Sequence, residues 1–156
     1  MKLNYFVIPS VVIAVSILGS LFTSQGLGTW YQSLVLPDWT PSGEIIGLVW
    51  SVIFIMVAVS ALIFWNMVPK STTFRLIVLA FILNAFLNLS WSYLFFTENL
   101  VFAAFITAVL LGLSTLVLVY LLWPISRTAS LLLVPYALWV FFASFLNFTI
   151  WQLNFI

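Results

Sequence analysis

The sequence predicts an all-α integral membrane protein, a single domain over residues 1–156 folded as a bundle of five transmembrane helices. Three observations carry this. Of 156 residues, 65% are hydrophobic and 4% are charged, against about 45–50% apolar and about 25% charged in an average soluble domain. Several apolar runs reach about 20 residues, the length that a bilayer about 30 Å thick demands of a helix. Finally, most breaks between these runs are only a few residues long, which makes successive helices antiparallel neighbours.

The first span covers 5–22, after Lys2. A basic residue before an apolar stretch also describes a secretory leader, but this stretch outruns the leader's apolar core of about 7–15 residues. A long connection, 23–42, follows. The second span, 43–66, is stopped by Pro69 and Lys70. The third covers 74–96 and the fourth 100–123, closed by Pro124. The fifth covers 128–153.

With five spans the connections alternate between the two sides, and the charges segregate completely. Lys2, Lys70, Arg75 and Arg127 fall on one side, and Asp38, Glu44 and Glu98 on the other. In a bacterial inner membrane this places the N-terminus in the cytoplasm and the first connection outside. No acid or base lies inside the hydrocarbon, which argues against a proton relay, a voltage sensor or a proton-coupled drug transporter. The odd number of spans argues against an inverted-repeat transporter.

Cysteine and histidine are absent. That removes disulfides, Cys/His zinc sites, thiolate nucleophiles and a histidine base, and no metal site is expected. An iron porphyrin held by His or Cys is excluded as well. The formal charge of +1, without a basic run, gives nucleic acid nothing to bind.

Eight tryptophans stand out. A belt at the headgroups accounts for Trp65, Trp123 and Trp151 near span ends, but not for Trp139 near the middle of the fifth span. Trp50 and Trp91 fit the belt only loosely. Asn84 and Asn88 lie one turn apart on the third helix, and Trp91 continues the same stripe. Trp139, Ala143 and Asn147 form a stripe on the fifth helix, and Trp50 and Phe54 share a face of the second. Amides facing lipid are costly, so these stripes should face inward. Each Asn alone could simply bridge helices. Together, the stripes converge at one depth and describe an aromatic cavity with a few amide donors, suited to a flat, largely apolar molecule.

The first connection contains WYQSLVLPDWTPSGE. Pro37 and Pro41 stiffen the chain around Trp39, and Trp30 and Tyr31 precede them. This reads as an ordered lid over the cavity mouth. Ala104, Ala108 and Gly112 follow a small-xxx-small pattern, and Gly43 and Gly47 form one GxxxG. These imply close helix packing within the bundle or between two chains.

The lid sequence Trp30-Tyr31-x-x-Leu34-x-x-Pro37-x-Trp39-x-Pro41 resembles the first-loop signature of the TspO/MBR family of tryptophan-rich sensory proteins and translocator proteins. Asn84-x-x-x-Asn88-x-x-Trp91-Ser92-x-x-Phe95-Phe96 is similar to its third helix. Pro135-Tyr136-x-x-Trp139-Val140-x-Phe142-Ala143-Ser144-x-Leu146-Asn147, ending in Ile150-Trp151-x-Leu153-Asn154, is similar to its fifth. The resemblance implies a five-helix bundle, often a homodimer, that binds porphyrins and drug-like aromatic ligands beneath the first loop. It implies ligand contacts at Trp39, Trp50, Phe54, Asn84, Asn88, Trp91, Trp139, Ala143 and Asn147. Two departures stand out: Ser42 occupies the place of a second Pro in the lid, and Phe145 stands where the family's cholesterol-recognition segment carries Tyr. The latter gives no reason to expect cholesterol binding.

The expected function is a membrane receptor or sensor, or a transporter, for porphyrin-type tetrapyrroles, with porphyrin as ligand and no cofactor required. Porphyrin propionates are anionic while the lid side carries only acids, so they would need amide, indole or backbone donors there. Light-dependent oxidative breakdown of bound protoporphyrin is an alternative, with Trp50 or Trp139 as candidate participants. A lipid-binding membrane scaffold is another.

Overall fold

The computed structural model describes residues 3–156, and Lys2, the remaining member of the basic set, lies outside them. Five spans are present among the described residues, each apolar enough and long enough to cross a bilayer. They are α1 (Asn4–Leu27), α2 (Gly43–Met67), α3 (Thr72–Ser92), α4 (Val101–Leu122) and a fifth span made of short α5 (Arg127–Leu131) and long α6 (Val134–Phe155). A π-helical segment, Tyr93–Thr97, prolongs α3, and a 3-10 turn, Tyr31–Ser33, lies in the lid.

Helix starts need donors satisfied, because unpaired backbone groups are expensive near lipid. Serine does this three times. The Ser42, Ser71 and Ser126 hydroxyls accept from the backbone N–H of Ile45, Phe74 and Ala129, at 3.4, 3.3 and 3.3 Å. Ser42, the departure from the family's proline, is thus the N-cap of α2.

Two boundaries differ from those expected. The first helix continues to Leu27, so the lid proper begins at Gly28. Gly26 allows this by lying against the backbone carbonyl of Phe96, where a Cβ would collide. The fifth span is not one continuous helix. Pro135 lacks an N–H and its ring opposes the carbonyl four residues back, so the helix breaks and restarts at Val134. At the break the Leu133 N–H turns to the Ser130 carbonyl, and the Ser60 hydroxyl of α2 donates to the Ala129 carbonyl at 2.7 Å. Ser130 in turn donates to the Val119 carbonyl of α4 at 2.6 Å. Hydroxyls from the break itself and from a neighbouring span thus hold it in place.

The central helix is α4, packed closely on both α3 and α6. Ala104, Ala108 and Gly112 are all buried there, and a Cβ on Gly112 would lie 2.9 Å from the Phe141 ring. This small-residue stripe seats α4 on α6 within the chain. Gly43 and Gly47, by contrast, have nothing near their Cβ positions. The α1 helix is peripheral, resting on α2, α3 and the π segment. The α2 helix leans on α1 and α5 but stands off from α3 and α6. Space therefore opens on both flanks of α2.

Candidate ligand cavity

The larger space, about 680 Å³, lies between α1, α2 and α3 and reaches Tyr136 of α6. Its volume falls within the range of about 300–1,000 Å³ usual for small-molecule sites. The walls are mostly aliphatic and aromatic, including Ile53, Phe54 and Phe81. Polar groups gather at the inner end, where Asn84, Asn88 and Tyr136 line it. A second space of about 480 Å³ lies on the other flank of α2, lined by Trp139, Phe142 and Pro135 across from Leu48 and Val52. Ile53 lines both and separates them.

The main cavity sits deeper than a pocket directly beneath the lid. Between lid and cavity stands a column of rings. Trp50 faces Trp91 at 6.3 Å, Trp91 faces Phe95 at 5.9 Å, and Phe95 meets Trp30 edge-on at 5.2 Å. Large side chains fill the room expected there, and Trp50 and Trp91 do not line the cavity. Trp50 packs behind its wall, touching Phe54 at 5.8 Å and Tyr136 at 6.1 Å.

The three asparagines have different fates. Asn84 is consumed by helix bridging: its Nδ2 donates to Ser114 Oγ at 2.8 Å and Thr115 Oγ1 at 2.9 Å, and its Oδ1 accepts from the Tyr136 hydroxyl at 3.0 Å. Asn147 is also a bridge. It accepts from the Trp91 indole N–H at 3.1 Å and donates to the Val101 carbonyl at 2.9 Å, joining α6 to α3 and α4. Asn88, one turn beyond Asn84, is buried and lines the cavity beside the Tyr136 hydroxyl.

On the lid, Trp30 and Tyr31 rest on the π segment, with Tyr31 5.8 Å from Phe96. Burial there pushes the Tyr31 phenol above its ordinary pKa. Trp39 lies on the outer side of α6, stacked on Phe145 at 5.4 Å and meeting Phe142 at 5.9 Å. It thus reaches the smaller space through Phe142, not the main cavity. Trp139 lines that smaller space, and its buried indole N–H has no acceptor among the described residues. Ala143, half-buried, lines neither space.

Sequence reasoning singled out neither Tyr136 nor Asn154 as a functional position. Asn154 is the latch of the lid: its Oδ1 accepts from the Val35 N–H at 2.8 Å and its Nδ2 donates to the Val35 carbonyl at 2.9 Å. The adjacent Ser114-Thr115 pair in a mostly apolar α4 was the available signal for Tyr136, since buried hydroxyls imply polar partners nearby.

Fold and site together define a multi-pass integral membrane protein whose mostly apolar cavity lies beside a splayed second helix. The chain belongs to the TspO/MBR family, whose sequence model matches residues 7–152. It is 40% identical to the uncharacterized membrane protein YtaB of Bacillus subtilis over 129 residues, 80% of each chain. It is 37% identical to the tryptophan-rich protein TspO of Chlorobaculum tepidum, covering 91% of this chain and 90% of that one. To the human translocator protein it is 26% identical, covering 87% and 81% respectively.

Proposed function

We propose that the protein is a membrane receptor or sensor that takes a flat, largely apolar ligand, a porphyrin-type tetrapyrrole or a drug-like aromatic, in the 680 Å³ cavity. The observation that carries this reading is the inner end of the cavity. Phe54 offers a ring face there, packed on Trp50, and Asn88 and Tyr136 offer polar groups that orient a bound molecule. The lid end faces outward and the basic end faces the cytoplasm in a bacterial inner membrane, by the segregation of Asp38, Glu44 and Glu98 from Lys70, Arg75 and Arg127. Pairing of two chains belongs to the same reading, on the resemblance to the family.

The test is titration of purified protein with protoporphyrin in the dark, followed by tryptophan quenching. Saturable quenching weakened about tenfold or more by Asn88→Leu is the expected result. Quenching that never saturates would leave the lipid-filled scaffold as the better account. A second reading, light-dependent breakdown of bound pigment, draws on Trp50, which contacts Trp91 and the cavity-lining Tyr136. Illumination decides it: pigment loss beyond that of free porphyrin, abolished in Trp50→Phe, would establish degradation.

A further inference from the structure

The end of the cavity away from the lid is built differently from the rest. Asn4 of α1 lines it and is 8% exposed, yet its Nδ2 is buried with no hydrogen-bond partner among the described residues. Native structures rarely leave such a donor unsatisfied without a reason. Lys70, just beyond α2, lines the same end. It has no acid within reach on its side of the membrane, because Asp38, Glu44 and Glu98 all sit at the lid end. Of the other described cations there, Arg127 lies over the Trp123 ring at 5.5 Å, and Arg75 is exposed and does not line the cavity. Snorkelling toward headgroups would account for Lys70 alone. It does not account for the orphan amide at the same end.

We propose that Asn4 and Lys70 form a carboxylate-binding mouth, which holds the acid group of an amphipathic ligand while its apolar body fills the cavity toward Asn88. The inference rests on reading this cavity as the ligand site. A carboxylate offers two oxygens that accept from both an amide N–H and an ammonium. Along α1 the lining runs from Asn4 to Val15, so the body can extend about 16 Å at a rise of about 1.5 Å per residue. The orientation also resolves an electrostatic conflict. Acid groups directed at the lid would meet Asp38, Glu44 and Glu98, whereas directed at this mouth they meet Lys70. Two sources share the chemistry: the propionates of a tetrapyrrole and the head of a long-chain fatty acid.

The experiment uses the whole protein in nanodiscs of zwitterionic lipid and two acid–ester pairs. These are protoporphyrin with its dimethyl ester, and doxyl-labelled stearic acid with its methyl ester. All four quench tryptophan, and Trp65 lines the cavity beside Lys70. Lys70→Gln and Asn4→Leu should each weaken an acid at least about tenfold and leave its ester unchanged, while Arg75→Gln keeps the acid within about twofold. Unchanged ester binding doubles as the check that each variant folds. Loss confined to one pair supports the mouth and identifies the source. Acid and ester binding alike, or Arg75→Gln weakening the acid as much as Lys70→Gln, overturns the mouth while leaving the cavity reading intact. Failure of all four probes to saturate overturns both.

Discussion

Asn84 ties three helices, and the cost of untying them can be worked out from its contacts. Asn84→Leu keeps roughly the same volume but deletes the bonds to Ser114, Thr115 and Tyr136. Interhelical hydrogen bonds in membrane proteins average about 0.6 kcal/mol and reach about 1.7, so three amount to about 2 kcal/mol. The serine and threonine hydroxyls are not orphaned, since both still donate to the Leu111 carbonyl at 2.8 and 2.9 Å. The Tyr136 hydroxyl does lose its acceptor, which pushes the loss toward the upper side of that figure. Tyr136→Phe removes one bond only and should cost about 0.6 kcal/mol. In the double variant that shared bond is counted once, giving a coupling of about 0.6–1.7 kcal/mol. Reversible unfolding by SDS in mixed micelles, followed by circular dichroism, measures all four corners of the cycle. A loss below about 0.5 kcal/mol for Asn84→Leu, or a coupling near zero, would refute the bridging role.

Other expectations follow from single contacts. Asn154→Leu removes both bonds to Val35, so amide exchange at the lid should speed up while the spans stay protected. Gly112→Ala drives a methyl into the Phe141 ring and should cost about 1–3 kcal/mol; adding Phe141→Leu should recover most of it, as unfolding of the pair would show. Tyr31 holds its proton to higher pH folded than unfolded, so its contribution is intact below the ordinary phenol value of 10.0 and fades as pH climbs above it. Stability measured through that window should fall less steeply in Tyr31→Phe.

The spans were legible in the sequence because hydrocarbon imposes one rule on every residue it touches. The inward direction of the stripes was legible too: Asn84, Asn88 and Asn147 are all buried. What a stripe cannot say is whether an amide meets a ligand or another helix. Asn84 and Asn147 found hydroxyls, an indole and a carbonyl on helices 30 to 56 positions away, and only their packing reveals it. The depth of the cavity was equally hidden, because Trp50 and Trp91 could line a space or fill one, and here they fill it, packed on each other. The break before α6 could be read from Pro135 alone, but the hydroxyls that satisfy it come from Ser60 and Ser130, one of them on another span.

The latch on the lid also orders events during synthesis. Val35 and Asn154 are 119 residues apart. When the lid emerges from the ribosome its partner has yet to be made, and Phe95 and Phe96, which receive Trp30 and Tyr31, also lie well downstream. The latch must therefore wait, unpaired, while four further spans enter the bilayer. Its closure comes last, and a nascent chain stalled before Asn154 should carry a lid more open to protease around Val35 than that of the released chain.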